Sequence, residues 1–237
     1  MKYLLLWLEG PFQSWGVDSK FWRRDSLDFP TKSGLFGLYL SALGARGSQE
    51  DLLAQLAEYK QNIFAYWKTE NQTSTLIDFH MVGSGYDSKN SWQKNMIPKT
   101  IEGKSAVGGG AKLTYRYYLQ DMAFGVIQEL EDDLSYLIGK SLREPVFDLY
   151  LGRKNCIPSE ILYRGEYDYY NEAEIELKKI VESISSDDHN LELHKSFHIK
   201  DGAFEDEGEV LTLNDIPIRF GRLKSYRDRQ VTLVNYE

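Results

Sequence analysis

Short apolar runs of strand character alternate with segments of helical period along this chain, and the order of the two kinds limits the folds open to it. Residues 3–8 form an unbroken apolar run of Leu with Tyr and Trp, stopped by Glu9, and read as a buried first strand. Residues 9–28 follow no period and read as a structured loop. Leu35, Phe36, Leu38, Tyr39, Leu40 and Leu43 then fall on a helical pattern that Gly44 ends. A second helix is expected with Ser48 as its N-cap, through Leu52, Leu53 and Leu56. Residues 62–67 and 75–82 read as strands, with turn residues at 70–73 between them. Strand character returns over residues 113–128, a helix over 132–142 stops before Pro145, and residues 146–151 read as another strand. An amphipathic helix over 172–184 precedes strands around 210–213, 216–220 and 230–236. This order predicts an α+β fold with a ferredoxin-like or RRM-type core. The expected division is a core over residues 1–165, then an acidic linker region and a smaller C-terminal β-rich region over 166–237.

Residues 83–112 belong to neither pattern. They are rich in Gly, Ser, Asn and Lys, end in Gly108-Gly109-Gly110, and hold few core-forming side chains. Lys89, Lys94, Lys99, Lys104, Lys112 and nearby Arg116 outweigh Asp87 and Glu102. A segment of this length without structure is uncommon inside a domain unless it has a task. Two readings stand: a disordered surface insertion, or a projecting, hairpin-like basic arm that orders on RNA.

The net charge of −8 argues against a nonspecific nucleic-acid binder. The acidity is regional, however. Residues 165–215 carry fifteen acids against four bases, leaving the rest of the chain at +3. One cysteine, Cys156, excludes an internal disulfide or a multi-cysteine zinc site and fits a reducing cytoplasm. The first apolar run is too short for a signal-peptide core or a membrane span. His194 and His198 have a spacing that would bind metal on a helix, but Leu191, Leu193 and Phe197 alternate as in a strand, so both read as surface histidines. No nucleophile frame or phosphate-binding loop is present, and no cofactor or metal is expected. His80 with a nearby Lys or Tyr is the one constellation that suits metal-free RNA cleavage.

Basic residues interleaved with aromatics are better represented. Gln13, Trp15, Trp22, Arg23 and Arg24 share one loop that offers a stacking ring, amide donors and phosphate ligands. The alternative is that the tryptophans fill the core while the arginines pair with Asp25 and Asp28. Lys32 and Ser33 open a helix, where free N–H groups suit a phosphate as well as ordinary capping. Arg153 and Lys154 follow Gly152 in a turn that suits phosphate or plain solvent.

GPFQSWG at 10–16, DFPTKSGLFGLYLSALG at 28–44, TYRYYLQDMAF at 114–124 and LYLGRKNCIPS at 149–159 resemble the CasD family in sequence and order. Phe79-His80 ahead of the Lys-rich segment and Tyr226-Arg227-Asp228-Arg229 near the end add to the likeness. The resemblance implies an RRM-like core with a thumb, mapped here to 83–112, that clamps the 5′ handle of a CRISPR RNA in type I-E Cascade. It further implies contacts with the large subunit CasA and the backbone subunit CasC, in a complex that holds target DNA. Gln13, Trp15, Arg23, Arg24, Lys32, Ser33, Lys104, Arg116, Arg153 and Lys154 are the handle contacts it suggests. A related type I-C branch cuts CRISPR precursor RNA. The order of segments here resembles the I-E branch, which implies a non-catalytic subunit.

Overall fold

The computed structural model describes residues 1–16, 22–67, 75–82, 87, 89–96, 99–104, 112–187 and 193–236. In chain order these form β1 (Lys2–Glu9), β2 (Phe12–Gln13), β3 (Arg23–Arg24), α1 (Lys32–Leu43), α2 (Glu50–Ala57), β4 (Gln61–Trp67) and β5 (Thr75–Val82). There follow α3 (Ser91–Met96), β6 (Lys112–Gln120), β7 (Met122–Leu130), α4 (Asp132–Arg143) and β8 (Tyr163–Tyr167). The last are α5 (Tyr170–Asp187), β9 (His194–Asp201), β10 (Glu209–Arg219) and β11 (Ser225–Asn235). Among the described residues no helix is long and apolar enough to cross a membrane.

The first strand is apolar from Tyr3 to Leu8 because both of its faces are covered. Leu4, Leu6 and Leu8 pack with Ile63, Phe124 and Val126 against Leu35, Phe36 and Tyr39 of α1, Leu53 of α2 and Ile138 of α4. Leu5 and Trp7 point the other way and join Phe64, Tyr66, Ala123 and Ile127 beneath Ala173 and Leu177 of α5. Each such side chain contributes about 1.5–3 kcal/mol by leaving water. The strands form one antiparallel seven-stranded sheet in the order β10-β11-β9-β4-β7-β1-β8. A smaller sheet is built around β6, which pairs antiparallel with β2 and β5 and parallel with β3.

The α+β class and most elements match expectation, and the departures have local causes. Residues 146–151 are not a strand. Val146 N donates to Ala42 O (2.9 Å) and Phe147 N to Ser41 O (3.2 Å), so this segment satisfies carbonyls at the end of α1 instead of joining a sheet. Ser48 is not the N-cap of α2, since Gln49, in the left-handed region at φ 55°, directly precedes it. The long strand pattern at 113–128 is two strands folded at Asp121, also left-handed at φ 52°. Residues 91–96 of the expected arm are helical, and much of the rest of 83–112 lies outside the described residues. The expected boundary at 165 falls inside β8, and the strands beyond it continue the main sheet, β9 pairing with β4. His198 is not on the surface: it is 5% exposed and stacks on Phe64 with ring centroids 4.1 Å apart.

Candidate nucleic-acid interface

A cleft of ≈ 690 Å³ opens beside α1. Its floor is the face of α1 carrying Thr31, Ser33, Gly34, Gly37, Leu38 and Ser41. One wall is the connection after α4, with Phe147, Asp148, Tyr150, Gly152 and Lys154. Ser14, Trp15 and Gly16 close one side, and Phe220, Lys224 and Tyr226 of the β10–β11 hairpin close another. Gly152 is required for this shape. It sits at φ +90°, and a Cβ there would lie 1.8 Å from Ser14 O. Ser14 N in turn donates to Leu151 O (3.1 Å), which presses the two segments together.

The expected contact residues divide by depth. Ser33 and Lys154 line the cleft, and Lys154 is exposed with no ion-pair partner among the described residues. Trp15 lines it only with an edge, being 1% exposed, and donates Nε1–H to Gln13 Oε1 (3.2 Å). Gln13 is fully buried and donates to Leu8 O (3.1 Å) and Met122 O (2.8 Å), tying the small sheet to the large one. Lys32 is 2% exposed, with Nζ on Asp201 (2.9 Å) and Tyr59 O (2.8 Å). The expectation that Gln13, Trp15 and Lys32 hold RNA directly is corrected accordingly: their polar atoms are spent on the protein, and desolvating them without such partners would be costly. The start of α1 is likewise ordinary capping, because Thr31 Oγ1 accepts from Gly34 N and Asp215 accepts from Lys32 N.

Arg153 bridges the cleft to the small sheet. It donates to Tyr117 O (3.1 Å) and Arg24 O (2.7 Å) and lies over the Tyr118 ring at 4.8 Å. Arg23 pairs with Asp25 at 2.8 Å and covers Tyr117 at 4.9 Å, while Arg24 is exposed. Arg116 is half-buried on β6, and exposed Lys104 pairs with Glu102 at 3.0 Å. One face of the β5–β6 ribbon is apolar and open. Ile77, Phe79 and Met81 stand opposite Tyr117, Tyr115 and Leu113, and Trp22 packs edge-on to Tyr115 at 5.7 Å.

Beneath the cleft lies a charge cluster that sequence reading missed. Arg229 Nε and Nη2 donate to the two oxygens of Asp215 at 2.7 and 2.9 Å, and its Nη1 lies 3.2 Å from Asp201. Burial holds the Lys32 amine below its usual range, with Asp201 opposing the shift. Asp215 turns inward where the β10–β11 register slips between Leu213 and Ile216, a bulge that explains the polar break between the two expected strand segments. Two of the fifteen regional acids are thus internal struts. On α5, Glu174 and Glu176 instead pair with Lys178 and Lys179.

Residues 3–231 match the family model described as CRISPR-associated protein (Cas_Cas5). The chain belongs to the Cas5 family. It is 30% identical over 173 residues to the CRISPR system Cascade subunit CasD of Escherichia coli (strain K12), covering 69% of this chain and 70% of that one. A solved structure described as a CRISPR RNA-guided surveillance complex superposes with a TM-score of 0.70 at 26% identity, covering 99% of this chain and 90% of the other. The crystal structure of a Cas protein shares the fold, with a TM-score of 0.53 at 24% identity over 98% of this chain and 95% of that one. In this Cas5 chain, three of the four segments that carry the family likeness contribute to the cleft lining, and 114–124 lies against them through Tyr117 O, which accepts from Ser14 Oγ at 3.0 Å. Lys224, Tyr226 and Tyr150 were not among the expected contacts. Tyr150 and Tyr226 fall within likeness segments, at 149–159 and 226–229, whereas nothing in the sequence pointed to Lys224.

Proposed function

We propose that the chain is a non-catalytic subunit of a cytoplasmic CRISPR surveillance complex and that its cleft caps the 5′ handle of the CRISPR RNA. The observation that carries this reading is the meeting of four sequence-distant segments around one groove, with Lys154 and Lys224 on its walls and Asp148 as the one acid among the described lining residues. Cations at the rim suit phosphates, and Tyr150 and Tyr226 suit ribose or base faces. Strand order β4-β7-β1-β8, with helices between β1 and β4 and between β7 and β8, supports a ferredoxin-like, RRM-type core. The β5–β6 ribbon is the stem of the thumb, and its open apolar face suits a neighbouring subunit, the backbone subunit CasC or the large subunit CasA, in a complex that holds target DNA. Arg23, Arg24, Arg116, Arg153 and Lys104 extend the basic surface from the cleft toward that thumb.

Gly37 provides a test that does not disturb the fold. It faces the cleft in mid-helix, and a Cβ there would meet nothing within 4 Å, unlike Gly34, where it would strike the Trp15 ring at 2.7 Å. Gly37→Ala should therefore raise stability by about 0.5–1 kcal/mol. Gly37→Glu should fold equally well yet weaken binding of labelled repeat-derived RNA by roughly tenfold, a carboxylate close to phosphates costing about 1 kcal/mol even in water and more in a cleft. Unchanged RNA affinity in a folded Gly37→Glu protein would remove the cleft from consideration. The RNA should be recovered uncut; specific cleavage abolished by His80→Ala would instead favour a metal-independent endoribonuclease of the type I-C kind.

A further inference from the structure

We propose that the β10–β11 hairpin is the second jaw of the cleft, with Lys224 contacting an RNA phosphate and Tyr226 packing on the adjoining nucleotide. This rests on the handle-binding reading and adds residues to it. Lys154 and Lys224 come from walls separated by seventy residues of sequence, yet line the same groove. Lys224 is exposed and has no carboxylate partner among the described residues, so its charge is available to a ligand. Tyr226 is half-buried at the groove, with its ring part of the lining and its phenol available as a hydrogen-bond donor.

The hairpin is held to the rest of the groove at two points. Phe220 N donates to Ser48 O (3.1 Å), anchoring the start of the turn to the connection after α1. Arg229, three residues beyond Tyr226, is locked through Asp215 to the first residue of α1. Its jaw is therefore fixed relative to the helix floor and does not depend on a ligand for its position. Fixed cations on facing walls suit a chain of phosphates, because neither lysine has to move far to neutralise one.

Salt dependence separates a phosphate contact from a structural effect. The full-length chain is titrated with a fluorescently labelled RNA carrying the repeat-derived 5′ end, at several salt concentrations, for the native protein, Lys224→Gln and Lys154→Gln. Lys224→Gln should weaken binding by roughly five- to tenfold and reduce the log–log salt slope by about 0.7, the value for one phosphate on a single strand. Tyr226→Ala should weaken binding with the slope intact. If Lys154→Gln shifts the slope and Lys224→Gln does not, the hairpin jaw is wrong and the handle-binding reading stands. If Lys224→Gln lowers affinity without altering the slope, the lysine acts structurally and the proposal fails. If neither lysine matters, both the jaw and the cleft reading fall.

Discussion

Asp215→Ala should cost the protein about 3–5 kcal/mol of folding stability and lower its melting temperature by roughly 6–20 °C. Asp215 is 2% exposed and accepts three hydrogen bonds, two from Arg229 and one from the Lys32 amide. The cluster is balanced, with Lys32 and Arg229 facing Asp201 and Asp215. Removing one carboxylate leaves two cations on one acid in a desolvated site, together with an unpaired amide at the start of α1. The loss is a large share of the roughly 5–15 kcal/mol that holds an ordinary domain together. Asp215→Asn keeps an acceptor and the side-chain volume and should cost less. Denaturant titration of the three proteins reads the effect. A loss below about 1 kcal/mol for the alanine variant would mean the cluster is not a strut.

The second large effect is loss of stability in acid through His198. Burial, reinforced by Lys195 and Lys200, pushes this imidazole down from its usual 6.5 to about 3. It stacks on Phe64, and its Nε2 lies 3.2 Å from Asn62 Oδ1. The folded protein thus holds a neutral ring that the unfolded chain would protonate below pH 6.5. The stabilisation is complete above pH 6.5 and is lost progressively as pH falls toward 3, because over that interval the unfolded state binds the extra proton. At 1.36 kcal/mol per pH unit of displacement, the full loss is of order 5 kcal/mol, and about 2 kcal/mol is already gone at pH 5. Unfolding free energies at pH 7.5 and pH 5 should therefore differ more in the native protein than in His198→Phe. Equal pH dependence in the two would exclude His198 as the source.

Elements whose apolar pattern is self-contained were legible in the sequence. The run at 3–8, the period of α1 and the alternation leading into β9 each report surface that the fold then buries, whereas β5, legible as a strand, leaves its apolar face open. What was not legible depends on partners distant in the chain. Residues 146–151 look like a strand until the carbonyls ending α1 claim their amides. Lys32 looks like a phosphate ligand until Asp201, 169 residues later, takes its ammonium. Gln13 and Trp15 carry the right chemistry for RNA, yet the same amide and ring also knit two sheets together, and burial decides between the roles. Lys154 lies in an open turn on the cleft wall, close to a family segment that could be read in the sequence, whereas Lys224 joined the groove only when the hairpin folded back over α1.

The cleft reading is tested most directly by where the RNA touches this chain. An assembled surveillance complex carrying 4-thiouridine in the repeat-derived 5′ end of its guide is irradiated, and crosslinked peptides are identified by mass spectrometry. Crosslinks should fall on peptides containing Tyr150, Lys154, Lys224 or Tyr226. Crosslinks confined to other surfaces, with every cleft peptide unmodified, would contradict the account.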